Sequence, residues 1–162
     1  MGASELVAGD LPVGPGGAGA PYARLARAVR AVARLSRALE RSAGGLSLAH
    51  YRVLAAVAEG HERASRVAER LALGRPAVSA SVEALCTKGL LSRTGDVDDQ
   101  RAVQLSVTPA GLRVLREADE AMSAKLGELV AATGHAAAVL DALCLIGESL
   151  DEATAQPTGR PS

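Results

Sequence analysis

Aromatic side chains are almost missing from this sequence: it has two tyrosines, Tyr22 and Tyr51, with no tryptophan and no phenylalanine in 162 residues. The core must therefore be built from Ala, Leu and Val, which favours close-packed helices and leaves few side chains to stack on bases or sugars. Cysteine is as scarce. Cys86 and Cys144 match no metal-ligand spacing, and His50, His61 and His135 add no paired-histidine motif, so neither a metal nor a cofactor is expected. No run approaches the roughly 20 apolar residues that span a bilayer. The N-terminus has no basic region followed by an apolar one. The expectation is a soluble cytoplasmic protein without a membrane partner. Phosphate-loop and nucleophile-elbow motifs are missing too, which argues against an enzyme.

Net charge is zero, which taken alone argues against a nucleic-acid partner. Its distribution argues otherwise. From Pro21 to Ala43 six arginines face one glutamate, a net +5, while Pro109 to Thr154 carries three basic and eight acidic residues, a net −5. Ends of opposite sign attract, as they would when packed together or across a dimer.

Residues 1–20 are rich in Gly, Pro and Ala and lack periodicity, which predicts a disordered N-terminal tail; 155–162 read as a flexible C-terminal tail. Gly14, Gly16 and Gly19 have the G-x-G-x-x-G spacing of a pyrophosphate-binding turn. No strand precedes them and no βαβ unit follows, so the match is accidental.

Between the tails, periodicity and punctuation predict eight elements. A first helix over 22–42 carries an arginine stripe at 24, 27, 30, 34, 37 and 41, with Gly44 and Gly45 ending it. A second, capped by Ser47 with Leu46 and Tyr51 as a hydrophobic staple, is expected to bury Tyr51, Leu54, Ala55 and Ala58. A third, about 64–73, buries Ala64, Val67, Ala68 and Leu71. After a Gly-containing turn, a fourth opens with Pro76 in its first turn, buries Val78, Val82 and Leu85, and ends at Gly89. The period then changes: LLSRT (90–94) and AVQLSV (102–107) are strand-like and flank the polar GDVDDQR, predicting a hairpin with a charged tip. Thr108 and Pro109 start a long helix with a stripe of Leu112, Leu115, Ala118, Met122, Leu126 and Leu129. A last helix after Gly134 uses Val139, Leu143, Ile146 and Leu150.

Two short helices, a tight turn and a hairpin form a winged helix-turn-helix. The second helix of such a pair needs one apolar face for the core and an opposite face small enough to enter the major groove. Residues 75–87 have both: Pro76, Ala77, Ala80 and Glu83 point outward, Ser79 flanks them, and Arg75 sits at the helix start within reach of phosphate or a base edge. A wing projects a basic side chain into the neighbouring minor groove, where negative potential is concentrated. Arg101 is the candidate. Asp99 is assigned to hold it by an ion pair, and Arg93 is a second basic contact.

The stretch SRVAERLALGRPAVSASVEALCTKGLLSRTGDVDDQRAVQLSVTPAGLRVL resembles the core of the multiple antibiotic resistance regulator (MarR) family. The family's wing signature, D-x-x-D-x-R followed by a strand and L-T-x-x-G or a near variant, is matched by Asp96, Asp99 and Arg101, then Val107, Thr108 and Gly111. The resemblance implies a mainly α fold, α-α-α-α-β-β-α-α, as a single domain over 21–154. Its winged helix-turn-helix spans about 46–108, and its dimerisation helices about 22–43 and 109–154. It also implies a bacterial repressor that binds double-stranded DNA as a homodimer on a pseudo-palindromic operator and is released by a small amphipathic or phenolic effector. Carried over by position, Arg101 is the wing arginine, Asp99 its partner and Ser79 a recognition-helix position held by Ser or Thr. Ala80 departs from the family's frequent arginine, Arg63 from a capping Thr or Ser, and Cys86 from glutamate. His50, Tyr51 and Arg52 are the candidate effector contacts. Two other functions remain open: a helical module acting through protein contacts, favoured by the weakly basic face at Ala80 and Glu83, and a cysteine-based redox sensor. The second would need an accessible thiol, whereas Cys86 and Cys144 are expected to be buried and inert.

Overall fold

The computed structural model describes residues 20–60, 63–95 and 104–155. Apart from Ala20 and Ala155, both expected tails lie outside the described residues, as do His61, Asp96, Asp98, Asp99 and Arg101. The elements follow the expected order: α1 Ala20–Ser42, α2 Leu48–Ala58, α3 Ala64–Leu71, α4 Arg75–Thr87, β1 Leu91–Thr94, β2 Gln104–Val107, α5 Pro109–Ala131 and α6 Ala136–Ala155. The protein is mainly helical, with one antiparallel pair of strands among the described residues. No helix among them is long and apolar enough to cross a membrane.

The chain forms two compact units that meet inside α1, Met1–Ala38 and Leu39–Ser162. In the first, α1 exposes Tyr22, Leu25, Val29 and Val32, while Arg27, Arg30, Arg34 and Arg37 occupy the opposite side of the helix. The second unit is built around Val53, Leu54, Val67, Val78, Val82 and Leu85, its most completely buried large side chains. Leu91 and Leu105 of the hairpin and Leu115, Ala118 and Met122 of α5 extend the same core.

Caps mark the boundaries where short polar side chains promise them. Ser47 accepts a hydrogen bond from the His50 amide at 3.2 Å, and Thr108 accepts one from the Gly111 amide at 3.0 Å. Arg63 occupies the N-cap of α3 and gives no side-chain cap bond. The turn between α3 and α4 contains a left-handed residue, and it is Ala72 (φ 50°) rather than Gly74. Gly74 has φ −63° and serves as the N-cap of α4.

Three buried faces differ from expectation. On α2, Val53, Leu54, Ala56 and Val57 are buried, Tyr51 and Ala55 are half-buried, and Ala58 is exposed. The sequence LAHYRVLAAVA is apolar nearly all round and singles out no face. Packing of α3, α4, α5 and β2 around the helix makes the choice. On α5, Gly111, Leu115, Ala118 and Met122 face the core, whereas Leu112 and Leu129 are exposed. On α6, Val139 and Leu143 are half-buried, whereas Ile146 and Leu150 of the expected stripe are exposed, as are Leu140 and Leu145.

Candidate nucleic-acid interface

Residues 75–87 form a helix because Pro76 pre-sets the first-turn backbone and no further breaker follows until Gly89, which ends it with φ 67°. Its inner face, Val78, Val82 and Leu85, is at most 2% exposed, which fixes the rotation of the helix about its axis. Arg75, Pro76, Ala77, Ser79, Ala80 and Glu83 are all exposed as a result. The face that the periodicity assigns to the groove is therefore open to solvent along its whole length. It carries one arginine, one glutamate and otherwise small side chains.

The hairpin stands beside this helix, β1 packing against α4. Its register pairs Leu91 with Val107, Ser92 with Ser106, Arg93 with Leu105 and Thr94 with Gln104. Directly opposed residues share a face, so Arg93 lies on the side of Leu91 and Leu105, whose side chains anchor the hairpin in the core. Arg93 itself is exposed, beyond the edge of that core. Strand alternation thus turns this arginine toward the helix-turn-helix side of the hairpin. Asp99 and Arg101 lie outside the described residues.

The base of the wing is clamped to the end of α4. The Thr108 hydroxyl donates to the Gly89 carbonyl at 2.7 Å and accepts from the Gly111 amide, while the Thr108 amide donates to the Leu90 carbonyl at 3.1 Å. Gly111 lies against that same carbonyl. A Cβ there would overlap Leu90 O and come within 2.8 Å of Val107 Cγ1. The Thr-x-x-Gly of the wing signature thus has a mechanical meaning: it locks α4, the wing and α5 together.

The three residues proposed for an effector sit on α2, and two of them have a partner inside the chain. The Tyr51 hydroxyl donates to Asp119 Oδ1 on α5 at 2.7 Å, and Arg52 donates to the Leu71 carbonyl at the end of α3 at 3.0 Å. Burial, then the hydrogen bond and charge of Asp119 and the charge of Glu59, push the Tyr51 phenol up to about 12. Half-buried His50 is held below its ordinary value, first by desolvation and then by the positive charge of Lys88. A second long-range tie joins Arg70 of α3 to Asp151 of α6 at 2.6 Å. Neither this pair nor Tyr51–Asp119 has a local sequence signal, since the partners stand 81 and 68 residues apart.

The cysteines differ from expectation. Cys86 is half-buried, and Cys144 is exposed on α6, beyond the half-buried Leu143 that this helix turns inward. Among the described residues no group of His, Cys, Asp and Glu could hold a metal ion.

Residues 44–102 match the MarR family model. No curated protein matches the chain. Among solved structures, the transcriptional regulator BldR from Sulfolobus solfataricus is 26% identical, with 79% of this chain and 95% of BldR covered at a TM-score of 0.63. A MarR-family transcriptional regulator from Rhodococcus sp. RHA1 is 21% identical, with 83% of this chain and 98% of its own covered at a TM-score of 0.69. CouR from Rhodococcus jostii RHA1, solved bound to p-coumaroyl-CoA, is 26% identical, with 62% of this chain and 73% of its own covered at a TM-score of 0.55. These matches are to transcription regulators rather than enzymes. Residues 44–102 are thus similar to the MarR family, and the chain shares the winged helix-turn-helix fold of those regulators.

Proposed function

We propose that this chain is a sequence-specific DNA-binding transcriptional regulator that represses from a pseudo-palindromic operator as a homodimer. One observation carries the reading: the exposed, small-residue face of α4, held in fixed rotation by the buried Val78, Val82 and Leu85. Small side chains at Ala77, Ser79 and Ala80 let the helix backbone approach base edges closely, and Arg75 in the first turn reaches phosphate or a guanine edge. Arg93 contacts the backbone beside the groove. Arg101, steadied by Asp99, enters the minor groove. Because α4 itself offers one arginine against Glu83, the wing and the second half-site must contribute much of the affinity.

Fluorescence anisotropy with DNA from upstream of the chain's own gene tests this reading. The dimer is expected to bind at submicromolar concentration, with affinity falling steeply as salt rises, on the order of the phosphate-neutralising slope. Arg101→Ala should cost about 1 to 3 kcal/mol and leave the dimer intact. No salt-sensitive binding at micromolar dimer favours the protein-contact function instead, and unchanged binding by Arg101→Ala removes the wing from the mechanism.

The reading extends to a small amphipathic or phenolic effector entering beside α2, near His50, Tyr51 and Arg52. The likeness to CouR, which binds p-coumaroyl-CoA, supports it. An effector that displaced Asp119 from Tyr51 would loosen α2 from α5 and re-space the DNA-binding residues. Calorimetric titration with aromatic carboxylates and their thioesters, repeated on Tyr51→Phe, checks it. Binding that is unaffected by this variant would place the effector elsewhere.

A further inference from the structure

We propose that Arg52 is a positioning residue for α4: by holding the last carbonyl of α3 it fixes the turn from which the recognition helix starts. The proposal deepens the operator reading above and rests on it. The turn consists of Ala72, Leu73 and Gly74 alone, so whatever orients it also orients Arg75 and Pro76 at the start of α4. Ala72 is the one non-glycine residue with positive φ among the described residues. Such a conformation persists only where its surroundings impose it. Within α3 the Ala72 amide donates to the Glu69 carbonyl and the Leu73 amide to the Ala68 carbonyl, each at 3.1 Å. The Ala72 amide and the Leu71 carbonyl belong to one rigid peptide plane. No backbone amide among the described residues reaches that carbonyl, but the Arg52 guanidinium donates to it at 3.0 Å. The plane is thus pinned on one side by α3 and on the other by α2, which sets the entry into the left-handed residue.

Other features assign this task to Arg52. Its neighbours on α2, Val53 and Leu54, are fully buried, so the guanidinium extends from a rigid base. No carboxylate among the described residues pairs with it. A cation suits the end of α3, where the last carbonyls carry partial negative charge. Arg70, the basic residue in the last turn of α3 itself, is engaged by Asp151 of α6. Gly74 gives α4 no side-chain cap, so the first turn of that helix takes its orientation from the chain before it. Sequence is read at base edges, whereas phosphate contacts carry no sequence information. A loosened α4 therefore loses discrimination before it loses charge-driven binding.

Fluorescence anisotropy on the full chain, with DNA from upstream of its own gene and with a random duplex of the same length, tests the proposal between about 0.05 M and about 0.2 M salt. Arg52→Ala is expected to weaken binding to the upstream DNA about fivefold or more, leave random-duplex binding within about twofold and keep the wild-type salt slope. Arg52→Lys keeps a cation and a donor for the single carbonyl, and should recover most of the loss. Amide exchange without DNA gives a second measurement: in Arg52→Ala, the Ala72 and Leu73 amides should exchange about fivefold or more faster, with Val53 and Val82 unchanged.

An unchanged preference for the upstream DNA in Arg52→Ala would overturn the proposal, as would unchanged exchange at Ala72 and Leu73. An equal loss on both duplexes, with a salt slope lower by about one, would overturn it by making Arg52 a phosphate contact. A wild type that binds both duplexes alike is a failure of the operator reading itself and is seen before any variant is made. The exchange of Ala72 and Leu73, measured without DNA, still decides whether Arg52 holds the turn.

Discussion

Gly111 has the tightest surroundings of any glycine among the described residues. It sits at the third position of α5, where Thr108 caps its amide and the Leu90 carbonyl leaves no room for a Cβ. Gly111→Ala must push α5 from the base of the wing, and a loss of about 1 to 3 kcal/mol is expected, the range for inserting a methyl into packed structure. Gly127 lies on the same helix, and a Cβ there would meet nothing within 4 Å, so Gly127→Ala should stabilise by up to about 1 kcal/mol through helix propensity. Urea unfolding of both variants reads the contrast, and equal effects would refute the close approach at Gly111. Tyr51 offers a second check at this scale. Its phenol titrates near 12 in the folded chain against an ordinary 10, so the folded state retains the proton longer. The associated stability is present in full below pH 10 and is lost as pH rises from about 10 toward 12. Absorbance titration should show Asp119→Asn bringing the Tyr51 midpoint down, since it removes a nearby negative charge; an unmoved midpoint would deny the Asp119 contact.

Among the elements, what the sequence makes legible is punctuation. Ser47, Pro76, Gly89, Thr108 and Pro109 mark helix ends, each through a local backbone or capping requirement, and the hairpin follows from a change of period. Orientation is less legible. Helix α2 could bury any of several faces, and the three helices and one strand packed around it decide, as does the short reach of the core for Leu112 and Leu129 on α5. The outward face of α4 is the exception, because Val78, Val82 and Leu85 are its only large apolar residues and share one sector, which fixes the rest. Contacts between distant elements leave no trace in a single sequence. Arg70–Asp151 joins the first helix of the helix-turn-helix to α6, with side-chain exposures of 32% and 58%. A pair so open to solvent is worth little, and a double-mutant cycle with Arg70→Ala and Asp151→Ala should return a coupling of about 0.2 to 1 kcal/mol that shrinks in high salt. A coupling indistinguishable from zero at low salt would remove this tie between α3 and α6.

At the scale of the whole molecule, the chain divides its apolar surface unevenly. The second unit closes a core around α2 and α4, yet α6 keeps Leu140, Leu145, Ile146 and Leu150 in solvent. Several large apolar side chains exposed on one helix mark an association surface, and a symmetric partner would cover them without requiring a second gene product. If the homodimer reading holds, α6 contributes to association rather than to the fold of the helix-turn-helix. Deleting residues 135–154 should then give a monomer or an insoluble chain, because it removes the interface and uncovers the apolar residues of α5 that pack against α6. A milder variant separates these outcomes. Ile146→Asp replaces one exposed apolar side chain with a charge that costs an isolated chain little but cannot be buried unpaired in an interface. Light scattering should find this variant monomeric at concentrations where the wild type is dimeric, with unchanged helical content. A stable dimer in either the truncated chain or Ile146→Asp would place the association surface away from α6.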